Sequence, residues 1–259
     1  MIKAKIASFF SYIKSIGVPA TIDYMFQRYV VRKEMMVLNI PWIKEKIHLR
    51  RNSKDINVFQ QIFIKKDLAF LNGRNYDVCI DAGANIGLST IYMKNMFPDS
   101  HIYSIEPEPA NIKMLCLNTK GYTNVTVISK AMSQDSNGLF FIDPGNGSDS
   151  FQTSREFRGS LEPVEIESIS IRDLMNQYEL SQVDFVKIDI EGAEDFCINQ
   201  EAMSWINQTK LLAIEIHEHF VPGCGKKIRG LLKDNFKIYQ NGEYSIFENR
   251  TFANNTNLF

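Results

Sequence analysis

The sequence predicts an α/β protein with a mostly parallel, doubly wound sheet that ends in an antiparallel hairpin, preceded by an extension of helices and a β-hairpin. Three observations carry this. From Tyr76 onward, strand-like apolar segments alternate with helical ones, a pattern that requires a parallel sheet covered on both faces. Asn241-Gly242 lies between FKIYQ and EYSIFE, the turn signal of an antiparallel pair. Charge is divided along the chain: residues 1–55 hold 11 basic and 4 acidic side chains (net +7), the rest 18 and 26 (net −8), although the 259 residues together total only −1. We therefore expect a basic extension over residues 1–72 and an acidic main domain over 73–259.

Ile6, Phe9, Phe10, Ile13 and Ile16 recur at helical spacing, and Gly17-Val18-Pro19 ends that piece. A second helix is expected over about 22–36, then two strands, MMVLNIP and EKIHLRR, around Pro41 and Trp42, and a helix over 57–71. Lys3 and Lys5 lead a short apolar stretch as in a secretory signal, but two serines and Lys14 interrupt it. No apolar run approaches the ~20 residues that span a bilayer. Four scattered cysteines without a C-x-x-C pair read as reduced thiols, so a cytoplasmic protein is expected.

In the main domain YDVCIDAG, HIYSIEP, NVTVISKA, VDFVKIDIEG and KLLAIEIHEH read as five parallel strands. Helices are expected over 87–96, 110–118, 171–178, 194–206 and 225–232, and strands LFFID and VEIES flank a polar loop. Ligands of open α/β sheets bind at the carboxyl ends of the strands. Those ends carry Asp81, Glu106, Ala131, Asp189 with Glu191, and Glu215 with His217.

The first turn, Asp81-Ala-Gly83-Ala84-Asn85-Ile-Gly87, has glycines for a tight turn and close ligand approach but not the G-x-G-x-x-G of a pyrophosphate cradle. A carboxylate beside it suits a ligand with an ammonium group, such as S-adenosylmethionine; an Asp capping the next helix is the competing reading. Glu106 ends the second strand, where a carboxylate accepts ribose hydroxyls, and Ala131 with Met132 can flank an adenine. Alternation in VDFVKIDIEG puts Lys187, Asp189 and Glu191 on one face, costly to bury unless paired or functional. His217 is the candidate general base, with a structural histidine as its alternative. One carboxylate pair, Asp189 with Glu215, is too little for a metal site, and none is assigned.

VCIDAGANIGLSTIYM, YSIEPEP, VDFVKIDIEGAE and AIEIH resemble the successive motifs of the FkbM family of S-adenosylmethionine-dependent methyltransferases, and IHLRRNSKDINVFQQIF extends the resemblance to about residues 47–217. The resemblance implies a class I (Rossmann-like) methyltransferase fold and O-methylation of a sugar, glycan or related natural product. It implies Asp81, Gly83, Asn85 and Gly87 at the methionine side of the cofactor, Glu106 at the ribose, and Asp189 and Glu191 at the methyl-transfer mouth. It supplies no shared base, so Asp189, Glu191 and His217 all stand as candidates.

The loop 143–158 is expected to close over the acceptor, with Ser150, Arg155 and Arg158 among its polar residues; Glu215 is a further acceptor candidate. Absence of D-P-P-Y, N-P-P-Y and Pro-Cys sequences, with an acidic main domain, argues against a nucleic-acid substrate. The basic extension either docks on the main domain or meets a membrane surface; the sequence sets no oligomeric state, and a homodimer is compatible with it. The competing functions are an NAD-dependent oxidoreductase and an inactive binding module on the same fold.

Overall fold

The computed structural model describes residues 2–134, 139–142, 152–154, 164–190 and 194–253. The extension comprises α1 (Ile2–Ile16), α2 (Val18–Tyr29), the antiparallel pair β1 (Met35–Leu38) and β2 (Ile47–Arg50), and α3 (Asp55–Phe59). Gly17 separates the first two helices at φ 83°, and Pro19 sits in the first turn of α2, where its missing N–H costs nothing. This helix therefore starts and ends earlier than the expected 22–36. The helix expected over 57–71 is instead broken: α3 widens into a π-helical turn, Gln60–Lys65, stopped by Lys66 in the left-handed conformation, and a 3₁₀ turn follows.

The main domain runs β3 (Val78–Ala82), α4 (Leu88–Met96), β4 (His101–Ile105), α5 (Pro109–Thr119), β5 (Val125–Ile128) and β6 (Ala131–Met132). Then come β7 (Leu139–Ile142), β8 (Gln152–Ser154), β9 (Val164–Ile166) and β10 (Ser168–Ile169). The rest is α6 (Ile171–Gln177), β11 (Val183–Ile188), α7 (Glu194–Cys197), α8 (Met203–Ile206), β12 (Thr209–Glu215), α9 (Cys224–Leu232), β13 (Phe236–Asn241), β14 (Tyr244–Asn249) and α10 (Arg250–Ala253). The expected helix over 194–206 is two short ones, separated where the Asn199 side chain accepts the N–H groups of Glu201 and Ala202.

Seven strands form the central sheet in the order β13-β14-β12-β11-β3-β4-β5. Only the contacts of β14, with β12 and with β13, are antiparallel. The chain reverses direction across the sheet between β3 and β11, the switch point at which such folds bind ligands. This is the expected doubly wound α/β architecture with its closing hairpin, the class I methyltransferase arrangement.

Alternate residues of each strand feed two apolar cores. Cys79, Phe185, Leu211, Ala213 and Ile246 pack with Tyr12, Ile16, Met36, Phe59 and Phe63 of the extension. Ile80, Val186, Ile188, Leu212 and Phe247 face Ile171, Leu174, Ile206 and Ile228 on the other side. The extension is thus one covering layer of the sheet, sharing a continuous core with it. Period-two alternation places Asp81, Lys187 and Glu215 on that same extension-facing side.

Candidate active site

A cavity of about 300 Å³ opens over the carboxyl ends of β3, β4, β11 and β12, walled on its far side by Lys54, Asn57, Val58, Gln61 and Ile62 of the extension. The turn after β3 forms its floor. Gly83 has φ 77°, and a Cβ there would lie 1.7 Å from the carbonyl oxygen of Asp189, so two backbone segments touch at a point no other residue fits. Asn85 is also left-handed, at φ 50°. Gly87 is left-handed too, but a Cβ there would meet Leu115, so this glycine serves the packing of α4 on α5 rather than the cavity.

The N–H groups of Gly83 and Ala84 both donate to the Ile105 carbonyl, and that of Asn85 donates to Glu106 Oε2 at 2.9 Å. A pyrophosphate cradle needs these donors aimed at the ligand. Here they are spent inside the fold, which speaks against a dinucleotide. The Asn85 side chain, by contrast, lines the cavity with its buried Oδ1 lacking a hydrogen-bond partner among the described residues.

Glu106 lies just past β4, 6% exposed, and faces the cavity. Burial pushes its carboxyl up to about 7, and N–H donors from Glu108, Asn111 and Asn85 limit the rise. Its Oε1 accepts the Glu108 N–H at 3.0 Å and Asn111 Nδ2 at 3.3 Å. Asn111 is itself oriented by Arg50 of β2, whose Nη2 donates to its Oδ1 at 2.7 Å while the same guanidinium pairs with buried Asp55. The extension therefore reaches Glu106 through a relay of three side chains. Ala131 and Met132, both buried, complete this end of the wall.

Asp81 stands differently from its expectation. It is fully buried and off the cavity wall: Oδ2 accepts the hydroxyls of Ser89 and Thr90 at 2.5 and 2.8 Å, and Oδ1 lies 3.2 Å from Lys187 Nζ. Its charge goes to the neighbouring strand and helix because the β3–β11 register sets Lys187 directly beside it. Lys187 also donates to the Gly83 carbonyl and approaches Asp189 Oδ2 at 3.5 Å. Burial would lower the lysine's proton affinity, but Asp81 and Asp189 outweigh it, so it stays charged.

At the β11–β12 end, Asp189 and Glu215 line the cavity, and His217 lies two residues past β12. His217 Nδ1 is 2.5 Å from Oε1 of Glu194, which is wholly buried at the start of α7. Its Nε2 is 3.5 Å from Glu215 Oε1 and 3.9 Å from Asp189 Oδ1. Burial alone would depress the imidazole, yet Glu194, Asp189 and Glu215 raise it to about 9. Glu215 is pushed up to about 8, first by burial and then by Asp189. These carboxylates favour the charged imidazole over the neutral ring that a general base needs.

Glu191, Ser150, Arg155 and Arg158 lie outside the described residues. Sequence reasoning missed Glu194, Asn111, Arg50 and the wall residues of the extension. Glu194 belongs to the KIDIEGAE stretch, and an acid opening the short helix EDFC is its visible signal; the others act through contacts that no local pattern encodes.

The fold, with its cavity at the strand ends, is the class I, Rossmann-like methyltransferase architecture. Residues 81–238 match the methyltransferase FkbM domain, and the chain belongs to that family. It is 26% identical over 168 residues to methyltransferase sdnD of Sordaria araneosa, covering 53% of this chain and 65% of that protein. It is 25% identical over 183 residues to methyltransferase 1 of Beauveria bassiana, covering 58% and 72%. The crystal structure of methyltransferase FkbM from Methylobacillus flagellatus superposes with a TM-score of 0.49 at 18% identity, over 67% of this chain and 43% of that one. No helix among the described residues is long and apolar enough to cross a membrane.

Proposed function

We propose that the protein is an S-adenosylmethionine-dependent methyltransferase that methylates a hydroxyl of a sugar, glycan or related natural product. The observation that carries the cofactor is Glu106, a buried carboxylate facing the cavity beside the orphaned Asn85 Oδ1. Glu106 would accept the ribose hydroxyls and Asn85 an amino or hydroxyl donor, with Ala131 and Met132 against the base. Bound there, the cofactor supplies a methyl group on a sulfonium, so catalysis is mainly a matter of positioning.

The chain's own contribution lies at the cavity mouth. Asp189 lines the cavity with its Oδ2 3.5 Å from Lys187 Nζ, and its carboxylate would orient an acceptor hydroxyl and take its proton. Thermal-shift titration tests the reading: stabilisation by S-adenosylhomocysteine and none by NAD is expected, and the reverse would restore the oxidoreductase. Absence of methyl transfer to every glycan and polyol acceptor tried, with S-adenosylhomocysteine bound, would favour the binding module.

We infer in addition that the extension meets an anionic membrane surface. Phe10, Val18, Ile22, Phe26, Tyr29 and Val30 of α1, α2 and the turn after them are exposed, with Lys14, Arg32 and Lys33 exposed nearby. Co-sedimentation with phosphatidylglycerol vesicles but not neutral ones is expected, and loss of it in Ile22→Ser/Phe26→Ser. Equal behaviour with both vesicles would leave docking on the main domain as the extension's role.

A further inference from the structure

Beside Asp189, at the ends of β11 and β12, Glu215 and His217 complete an arrangement to which the methyl-transfer reading above gives no role. His217 is 8% exposed, and its Nδ1 is committed to buried Glu194. That fixes the ring and turns Nε2 toward Glu215 and Asp189, at 3.5 and 3.9 Å. Both distances exceed the roughly 2.7–2.9 Å of a charge-assisted hydrogen bond. A buried ring nitrogen thus points between two carboxylates without bonding to either.

The register makes the trio durable. Ile188 pairs with Ile214, so the next residues, Asp189 and Glu215, emerge side by side. One donor atom from each of Asp189, Glu215 and His217 lies within 4.8 Å of the others. A divalent ion binds such nitrogen and oxygen donors at about 2.0–2.2 Å, so it fits between them with small rotamer changes. Lys187 does not block it, because its ammonium meets the other oxygen of Asp189 and is shared with Asp81.

We propose that Asp189, Glu215 and His217 form a divalent-cation site at the mouth of the cavity, with Glu194 as the residue that orients the imidazole. A carboxylate on the far nitrogen of a ligating histidine is the arrangement that fixes its tautomer and ring position. One imidazole with two carboxylates suits Mn²⁺ or Zn²⁺, and an ion of coordination number six would keep positions open for oxygen ligands. Its role rests on the methyltransferase reading: there it would hold an acceptor hydroxyl oxygen and ease its deprotonation. Binding of the ion does not depend on that reading.

The test is Mn²⁺ binding to the full chain, read by loss of the free-ion paramagnetic resonance signal, with S-adenosylhomocysteine binding measured in parallel. One bound equivalent is expected, with histidine nitrogen modulation in its spin echo, a readout that needs no variant. Glu215→Gln and His217→Gln should abolish binding, and Glu194→Gln should weaken it about 10–100-fold. No binding at millimolar Mn²⁺, an echo without nitrogen, or unchanged affinity in Glu215→Gln and His217→Gln would overturn the site. If Mn²⁺ binds as expected and S-adenosylhomocysteine does not, the cofactor reading fails and the cation site stands; the opposite pair of results separates them the other way.

Discussion

The two ends of the cavity are built by different means. At the β3–β4 end, backbone geometry dominates: two left-handed positions, a close crossing at Gly83, and one carboxylate, Glu106, held by N–H groups. At the β11–β12 end, side chains dominate: Asp189 raises the proton affinity of Glu215, and Glu194, Asp189 and Glu215 raise that of His217, across two strands and a helix. The difference teaches that the β3–β4 end, where we propose the nucleoside sits, has a shape fixed in the main chain, whereas the β11–β12 end is an electrostatic arrangement that side-chain changes can retune.

The largest effect should come where the two ends touch. Gly83→Ala places a Cβ against the Asp189 carbonyl at a left-handed φ, and we predict a loss above about 4 kcal/mol in urea unfolding, or no folded protein. Lys187→Met leaves Asp81 buried without its cation and should cost about 3–5 kcal/mol by the same measurement. A smaller loss in either would mean that the ends are less coupled than their contacts indicate.

Glu106→Gln separates the ends. It should weaken S-adenosylhomocysteine about 10–100-fold in calorimetry, the worth of hydrogen bonds to a charged group, while leaving Mn²⁺ binding intact. The pH dependence follows from the same group. The folded carboxyl titrates near 7, above its ordinary value, so the unliganded protein loses stability as pH rises toward 7 and the buried charge forms. Hydroxyl donors from a ribose favour that charged form, so affinity should rise with pH below 7, by at most about tenfold per unit, and level off above it. In Glu106→Gln the slope should vanish. The smallest effect is expected for Arg50→Ala, which frees Asn111 without touching the ligand: a loss of about 1 kcal/mol, or roughly fivefold in affinity. No change would show that Asn111 holds Glu106 unaided.

The same contrast explains what the sequence disclosed. Gly83, Asn85 and Glu106 were legible because strand ends and turns have local signatures, and the closing hairpin because Asn-Gly is one. Asp81 was misplaced for a physical reason: a strand-end carboxylate looks alike in sequence whether it faces a ligand or the neighbouring strand, and only the β3–β11 register brings Lys187 beside it. His217 was found at a strand end, but its charge state depends on Glu194, 23 residues earlier. The π-helical turn over Gln60–Lys65 had no signal, since it follows from packing against α1 and α4.

The wall formed by Lys54, Asn57 and Gln61 has a consequence for how relatives are compared. The FkbM domain match covers residues 81–238, and that wall lies wholly ahead of it. Proteins sharing the matched stretch would share the turn after β3 and the strand-end carboxylates while remaining free to differ in the surface opposite them. If the acceptor proposed above binds against that wall, exchange of residues 1–72 between family members, with positions 50 and 111 exchanged as a pair, should change the acceptor range.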